Sequence, residues 1–266
     1  MDSIVQSLQR CLLRAMMLLA VGAAPLSASG QDVPNIAAAS DLKFTLEEIA
    51  AKFQQQTGRE VKLSFGSSGN FSRQIIERAP FQMFLSADES FVFKLANQGL
   101  TLDRGALYAI GRIVLFAPHG SPLKPDAEFK DLKAALSDGR IKRFAIANPE
   151  HAPYGRAAEQ ALKSQGLWEA IKPTLVLGEN VSQAAQFASS GSAQGGIIPY
   201  SLSLVPAVKQ LGSFALLPEE WHQPLRQRMV LIKNAGETAK AFYKFMQDRP
   251  AREIFKRYGF VLPGKS

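Results

Sequence analysis

The sequence predicts an α/β protein built as two lobes, and three observations carry that expectation. From residue 35 onward, short apolar runs alternate with longer amphipathic stretches, the pattern of strands followed by helices. Of 266 residues, 46% are hydrophobic and 20% charged, which are globular proportions and exclude a disordered or collagen-like chain. The length beyond a short N-terminal leader suits two lobes of ~100–130 residues each. No internal repeat or long linker interrupts it.

The leader occupies residues 1–30. Arg10 and Arg14 precede an apolar run over 15–24, and Pro25 then introduces the small residues Ser27, Ala28, Ser29 and Gly30. A basic start, an apolar core and a small-residue cleavage region form a secretory signal peptide, with cleavage expected between Ala28 and Gln31. The run is about ten residues long, whereas a membrane span needs ~20. The one cysteine, Cys11, precedes the apolar core, so it is not the lipid-modified first residue of a mature lipoprotein. Exported material would lack cysteine, which suits an oxidising compartment. It would also be soluble, because no later run is long enough to span a bilayer. Whole-chain charge is +8; losing Arg10, Arg14 and Asp2 leaves +7.

In the remaining chain, strands are expected over 35–38, 61–65, 83–87, 113–117, 144–146, 174–177, 196–199, 214–217 and 229–232. The first helix is expected over 45–57, where Leu46, Ile49, Ala50 and Phe53 share one face. Helices over 68–77 and 91–98 follow. Another over 157–165 stops at Gly166, a C-cap signal. One over 181–189 runs into Ser190, Gly191 and Ser192. Helices over 237–247 and 251–258 close the chain.

Three strand-to-helix junctions share a chemistry. They are Ala37-Ala38-Ala39-Ser40, Ser64-Phe65-Gly66-Ser67-Ser68-Gly69 and Pro149-Glu150-His151-Ala152-Pro153-Tyr154-Gly155. Each places small residues, hydroxyls or glycine at a helix N-terminus. There the first N–H groups lack helical partners and the helix dipole favours an anion. Serine is also a plain N-cap, and one junction alone would be read that way. Three of them at strand C-termini point to a shared anion site, because ligands of open α/β sheets collect at that edge.

Other chemistries lack their signatures. There is no Gly-x-x-x-x-Gly-Lys-Ser/Thr, no Gly-x-Gly-x-x-Gly and no Gly-x-Ser-x-Gly. His119, His151 and His222 lie far apart without metal-ligand spacing and are expected to be surface or structural residues. Asp41 is expected to act as an early-helix dipole partner. The acidic pairs Glu47-Glu48 and Glu219-Glu220 have the character of solvated surface. Arg252, Lys256 and Arg257 lack the stacking aromatics of a nucleic-acid face.

These motifs resemble those of the periplasmic molybdate-binding proteins of ABC transporters, in the type II periplasmic binding protein class. The matching pieces are Ala37-Ala38-Ala39-Ser40-Asp41-Leu42, Phe65-Gly66-Ser67-Ser68-Gly69, Leu85-Ser86-Ala87-Asp88, Asn148-Pro149-Glu150-His151-Ala152-Pro153-Tyr154-Gly155 and Glu253-Ile254-Phe255-Lys256-Arg257-Tyr258-Gly259-Phe260. They occur in family order over residues 35–263.

The resemblance implies an oxyanion held between two lobes by hydroxyl and backbone N–H donors. No cationic side chain, cofactor or direct protein–molybdenum bond is implied. Its ligand positions fall on Ser40, Ser68, the N–H of Tyr154 and the N–H of Val181. Some members add a tyrosine hydroxyl after a Gly-Ile-Val strand. Here that strand reads Gly196-Ile197-Ile198-Pro199-Tyr200, so Pro199 takes the aligned place and Tyr200 follows one residue later. Tyr200 completes the expected set. Gln82 replaces an aspartate common in the family, a change expected to bear on lobe packing.

The implied architecture is a signal peptide over 1–30, lobe I over 31–112 plus 225–266, and lobe II over 113–224. Two hinge crossings would flank the ligand cleft. The implied function is binding of molybdate or tungstate in the periplasm and delivery to an ABC permease, by a monomer that is not an enzyme and binds no nucleic acid. Sulfate, thiosulfate or phosphate binding is the alternative on the same fold. A secreted hydrolase using Ser67 or Ser68 would need a histidine base within reach. An adhesion or scaffolding module would show no ligand-linked stabilisation.

Overall fold

A computed structural model describes residues 33–264; the expected signal peptide lies outside the described residues. Two five-stranded mixed sheets organise the chain. The first has the order β2-β1-β3-β10-β4, from β1 (Asn35–Ala39), β2 (Lys62–Gly66), β3 (Phe81–Ser86), β4 (Ala106–Gly111) and β10 (Leu225–Leu231). The second has the order β7-β6-β8-β5-β9, from β5 (Ile113–Pro118), β6 (Phe144–Ala147), β7 (Leu175–Gly178), β8 (Gly195–Pro199) and β9 (Gly212–Leu216). The chain passes from the first sheet to the second at Arg112 and returns between β9 and β10.

In each sheet an edge strand and the two strands next to it run parallel. β1 pairs with β2 and β3, and β6 with β7 and β8. The inner strands β1 and β6 are apolar on both faces because helices cover both sides. Ile36, Ala37, Ala38, Phe144, Ala145 and Ile146 are fully buried. Each parallel strand therefore ends at one edge of its sheet and turns there into a helix. That edge is where the site is built.

Among the strands and the helices of eight or more residues, two were not expected. β4 lies within a continuous apolar stretch that reaches β5, and only Gly111-Arg112 marks the joint between sheets. The helix Lys130–Ser137 lacks a capping side chain at its own N-cap, Phe129, which has a φ of 56°. The Asp126 carboxylate instead accepts the N–H groups of Glu128, Lys130 and Asp131, all at 2.9 Å. A cap supplied from that far upstream gives no local signal. Gln82 does bear on packing: its side-chain oxygen accepts the Gly236 N–H at 2.8 Å, beside the helix Glu237–Phe245.

Candidate functional site

Five parallel-strand ends supply the site. β1 runs into Ser40, β2 into Ser67 and Ser68, β3 into Ala87, β6 into the turn before Tyr154, and β7 into the turn before Val181. The first three belong to one sheet and the last two to the other.

Ser68 opens the helix Ser68–Ile76 and is fully buried. Its hydroxyl oxygen accepts the Ala87 N–H at 3.0 Å, which occupies a lone pair and leaves the proton to donate. The neighbouring Ser67 is the actual cap, accepting the Asn70 N–H at 3.4 Å. The Ser40 hydroxyl, also buried, donates to the Gly66 carbonyl at 3.0 Å. A hydroxyl turns about its C–O bond, so this proton can be redirected to an anion.

Tyr154 and Val181 contribute backbone. The helix expected from 157 begins four residues earlier, spanning Pro153–Ser164. Proline suits the first helical position because its fixed φ is helical and it has no N–H to leave unpaired. The preceding Ala152 has no side-chain acceptor, so no capping side chain takes up the Tyr154 N–H. At Val181 the division is different. Asn180 accepts from Ser182 and Gln183, at 3.0 and 3.2 Å, and Val181 N–H is the donor it passes over.

Ser40, Ser68, Tyr154 and Val181 line one cavity. Its volume is about 10 Å³, measured as room for the centre of a water-sized sphere. The space is small, on the scale of one water molecule, and a sugar or peptide would not fit it. Neither lysine nor arginine is among the lining residues. Tyr200 is not among them either. Its ring lies edge-on to Phe214, with centroids 5.9 Å apart, and its N–H bonds to the Arg112 carbonyl at 2.9 Å. In the structure this side chain packs on Phe214 rather than lining the cavity.

Bonds across the two sheets surround the cavity. Gly69 N–H donates to the His151 carbonyl at 3.0 Å, and the Ser182 hydroxyl to the Ser40 carbonyl at 3.3 Å. Ser67 Oγ lies 3.0 Å from His151 Nδ1, and Arg156 pairs with Asp88 at 2.6 Å.

The structure adds to the expected roles of three residues at the site. Asp41 does stand in the first turn, of the short helix Ser40–Leu42, but it is buried. It is 1% exposed, lines the cavity, and its Oδ2 accepts the Tyr154 hydroxyl at 3.0 Å and Gln227 Nε2 at 2.6 Å. Burial pushes its carboxyl up to about 6, against the opposing effect of those two hydrogen bonds. Gln227, fully buried on β10, also donates to the Tyr154 hydroxyl at 2.9 Å and accepts from the Tyr108 hydroxyl at 2.7 Å. No local pattern marks it, since its partners lie far away in sequence. His151, expected to be structural, is buried against Ser67 beside the cavity. Among the described residues no group of three or more His, Cys, Asp or Glu side chains could hold a metal.

Two α/β sheets that meet over a small cavity of neutral donors define a solute-binding protein of the type II periplasmic class. The chain belongs to the bacterial extracellular solute-binding protein family, whose profile matches residues 34–261. It is 36% identical to the molybdate-binding protein ModA of Rhodobacter capsulatus over 250 residues, 92% of this chain and 94% of that one. The solved structure of the Azotobacter vinelandii periplasmic molybdate-binding protein is similar with a TM-score of 0.78 at 34% identity, covering 87% of this chain and 100% of that one. The sulfate-binding protein SubI of Mycobacterium tuberculosis shares the fold, with a TM-score of 0.71 at 15% identity over 86% of each chain.

Proposed function

We propose that this protein captures molybdate or tungstate in the periplasm and delivers it to the permease of an ABC transporter. The donor set of the cavity carries the reading. Hydroxyls of Ser40 and Ser68 and N–H groups of Tyr154 and Val181 converge from both sheets, without a cationic side chain. A deprotonated oxyanion has only acceptors to offer, and each charge-assisted bond contributes ~1.5–3 kcal/mol. The names of the ModA relatives support the choice of ion.

In this reading, residues 31–112 with 225–266 form lobe I and 113–224 form lobe II. The crossings at Arg112 and between β9 and β10 are its hinges. Closure buries the ion, and the closed form docks on the permease as a monomer. Residues 1–30 direct export and are removed; the intact mass of periplasmic material should lack them.

The protein works by binding rather than catalysis. Ser67 and His151 do stand at hydrogen-bond distance, 3.0 Å, as a nucleophile and base would. Yet the Ser67 hydroxyl oxygen also caps its helix by accepting the Asn70 N–H, a structural role that accounts for its position. Calorimetric titration of the mature protein with molybdate, tungstate, sulfate and phosphate tests the proposal. Saturable binding of the first two is expected. Preference for sulfate would reassign the ligand, and silence with every oxyanion would refute the reading.

A further inference from the structure

Asp41 introduces a conflict into a site otherwise made of donors. It lines the cavity, it is 1% exposed, and ionised it would place a negative charge beside a bound dianion. No lysine or arginine lines that space to offset either charge. The groups around Asp41 do not relieve it. Tyr154 reaches it from the helix Pro153–Ser164, and Tyr108 stands behind Gln227 on β4; burial raises both phenols well above their ordinary range, so they stay neutral. Gln227 on β10 and Ser201, whose hydroxyl donates to the Asp41 carbonyl at 2.8 Å, do not titrate in this range. The nearby cations face elsewhere: Arg226 and Arg228 pair with Glu89, and Lys43 with Glu47.

The carboxylate is also unevenly satisfied. Oδ2 accepts two hydrogen bonds, whereas Oδ1 is buried without a partner. A buried oxygen in that position is costly as an anion and is the natural place for a proton.

We propose that Asp41 takes up a proton as the oxyanion binds, so that the site captures the dianion and one proton together. The inference rests on the oxyanion reading of the cavity. The proton comes from solvent and forms an O–H bond at Oδ1, while Oδ2 keeps its bonds from Tyr154 and Gln227. This converts the one acidic side chain lining the cavity from an acceptor into a donor. The carboxyl of the free protein, at about 6, sits where a nearby dianion moves it from mostly ionised to mostly protonated at neutral pH. Capture is then coupled to pH, and a more acidic periplasm holds the anion more tightly.

Calorimetry with molybdate in buffers of differing protonation enthalpy, at about pH 7.5, counts the protons taken up. Uptake approaching one proton per anion is expected. Affinity should fall by up to about tenfold per pH unit above pH 6 or so, within the range where molybdate remains a dianion. Asp41→Asn, which keeps the shape and a neutral charge, should bind with no proton uptake and a flat pH profile. Binding of molybdate by the parent protein without proton uptake would overturn the inference and leave the oxyanion reading standing. Equal uptake by Asp41→Asn would overturn it too. If the variant does not fold, His151→Gln in the otherwise unchanged protein decides: uptake is expected to persist in it, and its loss would move the proton to the histidine beside the cavity and overturn the inference. No heat with molybdate at any pH would sink the oxyanion reading, and the inference with it.

Discussion

The amide of Gly69 donates to the carbonyl of His151 at 3.0 Å, joining the helix after β2 to the turn after β6 and so one sheet to the other. Glycine is required there for space. A Cβ on residue 69 would stand 2.7 Å from the His151 carbonyl oxygen and 3.0 Å from its Cα, both backbone atoms. Gly69→Ala is therefore expected to hold the two junctions apart while leaving each sheet and its helices intact. Molybdate affinity should drop by at least about tenfold, equivalent to ~1.4 kcal/mol. Small-angle scattering should show less compaction on adding the anion, with ligand-free secondary structure unchanged.

The donor assignments separate by substitution. Ser40→Ala and Ser68→Ala each remove a hydroxyl from the proposed site, at an expected cost of ~1.5–3 kcal/mol, or roughly 10- to 150-fold in affinity. Tyr200→Phe removes a hydroxyl from a ring that packs on Phe214 outside the cavity lining. Affinity within about twofold of the parent is expected for it. Calorimetric titration of the three variants checks the ranking, and a large loss in Tyr200→Phe would return that residue to the site.

How far this was readable beforehand depends on where each signal lies. Ser40, Ser68 and Tyr154 sit in short motifs at strand ends, where the signal is local, whereas Val181 was reached only through the family resemblance. β4 was hidden because 106–117 reads as one apolar run, and Gly111-Arg112 carries the whole change of sheet. The start of the helix Pro153–Ser164 was placed too late because Pro153 and Gly155 resemble turn residues. In the structure Gly155 packs against the end of β6, where a Cβ would stand 2.2 Å from the Ala147 carbonyl oxygen. Asp41 was visible but its burial was not. That depends on Tyr154 and on Gln227, contacts that only the tertiary fold creates.

Asp41 should also shape stability in the absence of ligand. Its carboxyl is raised from 3.8 to about 6 by burial, so the folded state holds the proton more tightly than the unfolded chain. The associated stability is fully present below the unfolded value. It is lost as pH rises through the folded value, and above about 6 the ionised group is a constant liability. At pH 7 Asp41→Asn should therefore be more stable than the parent by up to about 3 kcal/mol, provided the amide keeps the bonds to Tyr154 and Gln227. Urea unfolding at neutral pH and again below about pH 4 checks this. The advantage should shrink toward zero at the lower pH, and a gap of equal size at both would assign it to something other than ionisation.

Selectivity follows from the same geometry. Tyr154 and Val181 N–H groups are fixed at the first turns of their helices, and the helices pack on buried strands. Ser68 is held by the Ala87 N–H. Such donors cannot close freely around a smaller ion, because a packed interior resists contraction. Molybdate and tungstate are nearly equal in size and charge, whereas sulfate has the same charge and shape but shorter bonds. Sulfate would leave one or two donors beyond good hydrogen-bond distance, and each unsatisfied buried donor costs ~1–3 kcal/mol. Molybdate and tungstate should therefore bind alike, with sulfate at least ~100-fold weaker, about 2.7 kcal/mol. Thermal shift with each anion gives the same ranking by an independent route, since a ligand that binds only the folded protein raises its melting temperature with its affinity. Equal stabilisation by sulfate would mean that the donors adjust to the ion, and the rigidity assigned to the two helix N-termini would be wrong.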